Sequence, residues 1–143
     1  MTPSPDLTRL AAREMAAGLR AGEFTSVELL EAHLSRAQAQ DRALHAWVSF
    51  DEEGALSAAR AADARLTEAR RRGPEAVVEL PRLLGIPVAL KDLVVTRGRP
   101  STAGSRILSG YRGAYDAHIA ERIFAAGGVV PGKTNMDEFA MGS

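Results

Sequence analysis

Apolar positions in the first seventy residues recur at helical spacing. Leu7, Leu10, Ala11, Met15 and Leu19 fall on one face of a predicted helix, and Gly22 follows as its C-cap glycine. Thr25-Ser26-Val27-Glu28 reads as a capping box, with Thr25 as N-cap and Glu28 returning to the Thr25 amide. Phe24 and Leu29 take the two positions of a hydrophobic staple. Val27, Leu30, Leu34 and Ala37 carry that apolar face on towards Gln40. Leu44 to Phe50, with Trp47, Val48 and Phe50, has the character of a short buried extended run. Asp51 is placed to cap a third helix whose face is Ala55, Ala59, Ala62, Leu66 and Ala69. That helix ends in Arg70-Arg71-Arg72, which complements the negative end of the helix dipole, and stops at Gly73-Pro74.

The pattern changes near Leu80. Leu84 to Leu90 reads as a buried strand. Asp116 is placed to cap a helix that carries Ile119, Ile123 and Phe124 on one face and ends at Gly127-Gly128. Val129 and Val130 then open another strand. Strand, helix and strand in that order predict an α/β layer architecture. The expected organisation is a helix-rich region over residues 1–80 followed by the start of an α/β core over residues 81–143, as one domain.

Composition narrows the function classes. Apolar residues are 45% and charged residues 25% of 143, ordinary values for a globular domain. Eighteen basic and eighteen acidic residues cancel, so no global field draws in nucleic acid or a membrane surface. The absence of cysteine excludes disulfides and thiolate catalysis and suits a reducing compartment, so a cytoplasmic location is expected. His33, His45 and His118 show no metal-ligand spacing, and the apolar runs are too short to span a membrane. His33 reads as a helix-surface residue and His118 as a residue of a helix's first turn. Among the eighteen cations only Lys91 and Lys133 are lysine.

Each lysine sits in a suggestive string. Gly127 to Thr134 satisfies the G-x-x-x-x-G-K-T spacing of a phosphate-binding loop. That loop needs a strand before it and a helix after it, with free amides facing the phosphates. Here a helix precedes the first glycine, Val129 and Val130 look like strand, and Pro131 removes an amide, so the match is read as accidental. Lys91 ends the apolar string Gly85-Ile86-Pro87-Val88-Ala89-Leu90. As a strand, this would place Lys91 at the sheet edge where α/β sites form. A lysine desolvated there has a lowered pKa and is a competent general base. A solvent lysine paired with Asp92 or another carboxylate fits the same spacing. Asp137 and Glu138 read as helix-start residues, not as an acid/base pair.

Leu84 to Asp92 (LGIPVALKD), Thr102 to Arg106 (TAGSR), Tyr115-Asp116-Ala117 and Gly132 to Ser143 (GKTNMDEFAMGS) resemble the amidase signature family. Phe24 to Leu29 and Ala58 to Leu66 are similar to that family's helical start, so the resemblance covers nearly the whole chain. The last string is most similar to the branch that forms the A subunits of glutamyl-tRNA(Gln)/aspartyl-tRNA(Asn) amidotransferases. The resemblance implies an α/β/α mixed-sheet fold, incomplete in this chain, and a Ser–cis-Ser–Lys triad with Lys91 as general base. Both serines are expected beyond Ser143, so the 143 residues alone are expected to be inactive as the amino-terminal portion of a longer enzyme. Ser143 ends the signature string and does not match the nucleophile. Glutamine is the implied ammonia donor, and B and C subunits are the implied partners. Misacylated tRNA is met mainly through the partner, and ATP with Mg is used there; no cofactor or metal is assigned to this chain. A stand-alone amidase of small amides and a non-catalytic chain are the alternatives. Leu93, Pro131 and Gly110 to Ala114 depart from the family pattern.

Overall fold

The computed structural model describes residues 6–142. Its best-specified elements are the helices α1 (Ala12–Ala21), α2 (Ser26–Leu44) and α3 (Glu52–Arg72). Thr25 caps α2 as expected: the Glu28 amide donates to Thr25 Oγ1 at 3.1 Å, and the Thr25 amide donates to Glu28 Oε2 at 2.7 Å. Gly22 ends α1 in the left-handed conformation, at φ 78°. Asp51 caps α3 by accepting from the Gly54 amide at 3.1 Å. A further tie joins two helices: Asp63 on α3 accepts from the Ser26 and Val27 amides at 2.6 and 3.2 Å, so α3 satisfies the open first turn of α2.

These helices bury the faces their spacing defines. Met15, Leu19, Leu29, Ala62 and Leu66 form one cluster with Leu84 and Ile86. Leu30, Leu34, Ala55 and Ala59 form a second with Val129. Each fully buried leucine contributes roughly 1.5–3 kcal/mol against exposure, and the alanine face of α3 lets α2 approach it closely.

The first predicted helix is divided. Asp6 Oδ1 accepts from the Thr8 amide and closes a 3-10 turn over Leu7–Arg9. Leu10 and Ala11 are then extended, and α1 begins only at Ala12, where Glu14 accepts from the Ala11 amide at 2.7 Å. Leu7 and Leu10 still pack on the same cluster as Met15 and Leu19. A short helix, α4 (Pro74–Val78), follows α3.

Among the described residues, the sheet has three short strands: β1 (Trp47–Phe50), β2 (Leu90–Lys91) and β3 (Gly132–Thr134), in the order β1-β3-β2. β3 runs antiparallel to β1 and parallel to β2. The predicted strand over Leu84 to Leu90 is thus regular only at its end. Before that, Gly85 has φ 81° and the segment makes a single parallel bridge, Pro87 to Val129. Val129 donates to Ile86 O at 2.9 Å; with a period of two, residue 131 is the next donor due, but Pro131 has no N–H. The same proline moves the second strand from Val129-Val130 to Gly132–Thr134. Helix α5 (His118–Ala125) lies between β2 and β3, and its Ala120 packs with Leu90 and Val130. Asp116 does not cap it: the N-cap is Ala117, and the Asp116 carboxylate accepts from the Arg97 amide at 2.7 Å. Among the described residues, no helix is long and apolar enough to cross a membrane.

Candidate active site

The three motif segments of the sequence meet at the end of β2. Lys91 is its last residue, paired in register with Thr134, and its side chain is exposed. The desolvated lysine anticipated at this position is therefore not found in residues 6–142. Nor does Lys91 pair with Asp92. Asp92 turns inward, is 1% exposed, and accepts from Thr102 Oγ1 at 2.5 Å, from the Thr102 amide at 3.0 Å and from the Gly104 amide at 3.3 Å. One buried carboxylate thus draws the Thr102-Ala103-Gly104-Ser105 loop over the lysine's strand.

The third segment closes on that loop. Ala103 O accepts from the Phe139 amide at 2.8 Å, and Ser105 Oγ donates to Glu138 Oε1 at 2.6 Å. Gly104 has φ 67°, and a side chain there would stand 2.8 Å from Met136 O, so glycine is required where the two segments cross. Glu138 is a side-chain partner in these ties, whereas Asp137 bonds within its own segment. Glu138 opens a 3-10 turn (Glu138–Ala140), while Asp137 accepts from the Gly142 amide at 2.6 Å. That hydrogen bond is the main cause holding the Asp137 carboxyl below its ordinary range, with the positive charge of Lys91 a lesser one. A shallow open cleft of about 240 Å³ borders this meeting point, lined by Val48, Thr102, Ser105 and Asn135 among others.

The buried lysine is the other one. Lys133, on β3, is 1% exposed, and its Nζ donates to Val94 O at 2.6 Å and to Ser101 Oγ at 3.1 Å. Burial lowers its pKa from the ordinary lysine value; the Asp92 carboxylate opposes that shift, and the Arg99 cation adds to it. Its amine is committed to Val94 O and Ser101 Oγ within the core of the sheet, and Gly132–Thr134 is a strand, so the G-x-x-x-x-G-K-T spacing does not form a cradle. Sequence reasoning missed this burial. The signal for it was one of only two lysines, set just past the apolar pair Val129-Val130 and Pro131-Gly132, in a chain whose other sixteen cations are arginine.

Arg99 was also missed. Its guanidinium pairs with Asp51 at 2.8 Å, donates to Val130 O at 3.1 Å, and stands 6.0 Å from the Phe124 ring centroid. It pins the loop after β2 to the β1–α3 junction. His33 is half-buried on α2 with Nδ1 2.8 Å from Leu29 O, whereas His118 is exposed at the start of α5. Among the described residues, no group of three His, Asp or Glu is gathered to hold a metal.

Residues 28–143 match the family model described as Amidase. The chain is 51% identical over 138 residues to the A subunit of the glutamyl-tRNA(Gln) amidotransferase of Salinispora arenicola (strain CNS-205), covering 96% of this chain and 26% of that protein. It is 48% identical over 143 residues to the protein of the same name from Chloroflexus aurantiacus (strain ATCC 29366 / DSM 635 / J-10-fl), covering 100% and 27%. Among solved structures, the native peptide amidase of Stenotrophomonas maltophilia superposes with a TM-score of 0.78 at 34% identity, over 92% of this chain and 26% of that one. An amidase family protein of Bacillus anthracis str. Ames gives a TM-score of 0.78 at 26% identity, over 92% and 25%. The chain spans about a quarter of the length of the relatives it matches. Its motif segments, their convergence at the end of β2 and its match over residues 28–143 together show that the chain belongs to the amidase family.

Proposed function

We propose that these residues are part of the ammonia-generating subunit of a tRNA-dependent amidotransferase, with Lys91 as the general base of a Ser–cis-Ser–Lys triad. The observation that carries the reading is the 51% identity to amidotransferase A subunits across almost the whole chain, beside 34% to the peptide amidase. Both serines belong to the remainder of the protein. In the proposed sequence, the Lys91 amine takes a proton from the bridging serine, which takes one from the nucleophilic serine. The nucleophile attacks the side-chain amide carbon of glutamine, the C–N bond breaks, and ammonia leaves with a returned proton. Water then cleaves the acyl-enzyme to glutamate. Ammonia would pass to a B subunit, with C as the third chain; that partner would hold ATP and Mg, which would supply the activation of the carboxyl of Glu-tRNA(Gln) or Asp-tRNA(Asn). The setting is cytoplasmic. Within this chain, the exposed Lys91 is open to groups contributed from outside residues 6–142, and the Asp92-held loop fixes the strand end from which it projects.

The test uses the full-length subunit co-purified with its B and C partners. Lys91→Arg is expected to abolish glutamine-dependent amidation, because arginine remains protonated at working pH. Amidation supplied with free ammonium should persist, since only ammonia release is blocked. Retained glutamine-dependent activity would remove Lys91 from the mechanism. The likeness to peptide amidase favours a second reading, a stand-alone amidase. It predicts no co-purifying partner chains and faster hydrolysis of small or peptide amides than of glutamine. The 143 residues alone are expected to release no ammonia from glutamine, which a coupled glutamate assay would check.

A further inference from the structure

Lys133 is a buried charge that the proposed chemistry does not use. Taking an ammonium out of water is costly, and an unbranched apolar side chain would fill the same space without that penalty. The described residues place no carboxylate within 4.0 Å of it, so no direct ion pair offsets the burial, and the Asp92 charge opposes it only from farther away. What its amine does reach is specific. Lys133 Nζ donates to Val94 O at 2.6 Å, and the Val94 amide donates to Lys91 O at 2.8 Å, so both polar groups of Val94 are fixed. Leu90 pairs with Lys133 itself and Lys91 with Thr134, while the Asp92 amide donates to Thr134 O at 3.0 Å. The same amine donates to Ser101 Oγ at 3.1 Å, next to the Thr102 that Asp92 holds.

We propose that Lys133 is a positioning residue: by clamping the Lys91–Val94 turn from the neighbouring strand, it sets the direction in which the Lys91 amine leaves the sheet. The inference rests on the reading of Lys91 as general base and assigns the buried lysine a part in the same site. The clamp acts on the backbone that carries the base. Its loss therefore misdirects the amine and leaves substrate binding largely intact. A displacement of about 1 Å at a reacting group costs up to about 100-fold in rate.

The experiment compares full-length proteins in complex with their partners, with rates normalised to folded complex. Parent and Lys91→Ala are measured first; if Lys91→Ala keeps parental glutaminase activity, the general-base reading fails and the Lys133 inference falls with it. With Lys91 established, Lys133→Met is expected to lower kcat for glutamine by about tenfold or more with KM changed less than about threefold. Lys133→Gln, which restores a shorter donor on the same side-chain path towards Val94 O, should recover part of the loss. Parental kcat per folded Lys133→Met complex would overturn the proposal, as would a loss confined to KM. If Lys133→Met yields no folded complex, Lys133→Leu, which also lacks a donor, decides by the same criterion.

Discussion

Around α2 and α3 the interior is almost wholly apolar. Leu29, Leu30, Ala55, Ala59 and Leu66 are at most 2% exposed, and Ser26 is the one buried polar residue there among the described residues. Around β2 and β3 the buried set includes Asp92, Thr96, Ser101, Ser105 and Lys133. Apolar cores depend chiefly on volume and tolerate rearrangement when volume is kept. Buried polar groups are directional, and each must keep its partner. The helical region thus supplies a platform, while the motif region gives up stability for orientation at the strand end carrying Lys91. Even there the satisfaction is incomplete: Asp92 Oδ1 and Thr96 Oγ1 are buried with no partner among the described residues.

Substitutions that treat the two regions alike should give unlike results. The largest effect is expected at Asp92. Asp92→Ala leaves the Thr102 and Gly104 donors without their buried acceptor, a loss of about 3–5 kcal/mol in denaturant unfolding of the full-length protein. Asp92→Asn keeps an oxygen for these donors and should cost visibly less. Leu29→Ala in the helical region should cost about 3 kcal/mol through lost transfer energy and a cavity, whereas Leu29→Met should stay within about 1.5 kcal/mol. Equal tolerance of Asp92→Asn and Leu29→Met would erase the proposed contrast. At Gly104, alanine meets both the positive φ and the Met136 carbonyl. A cost of about 1–3 kcal/mol is expected, with glutamine hydrolysis falling alongside it; unchanged melting and activity would deny that loop its place in the site.

The same contrast governs what could be read without coordinates. The helical region was legible because its signals are local: Thr25, Asp51, Gly22 and Gly73 act within one turn, and the α3 face repeats at helical spacing. It failed at Leu10, where Asp6 and Glu14 split one apolar pattern into two elements without moving its leucines from the core. In the motif region the decisive partners lie far apart along the chain. Asp92 with Thr102, Ser105 with Glu138, Lys133 with Val94 and Arg99 with Asp51 carry no periodic signal. The motif strings identified the family, yet which lysine is buried followed only from the register of β3 between β1 and β2.

The smallest predicted effect tests the helical region where it is polar. Thr25→Ala removes the N-cap of α2 and should cost about 1 kcal/mol. Its partner Glu28 titrates: the Thr25 amide first, and the Thr25 hydroxyl second, hold the Glu28 carboxyl below its ordinary range, against a small opposing effect of burial. A depressed folded-state pKa means that the carboxylate contribution is complete above the ordinary glutamate range. It is lost as the pH falls through the lower folded value. Glu28→Gln should therefore be slightly less stable than the parent near neutrality and converge with it in acid, read as unfolding midpoints at stepped pH. Because Glu28 is exposed, the difference should be small and shrink further in salt. A gap that stayed constant into acid would mean that shape, and not the charge-assisted cap, holds this helix start.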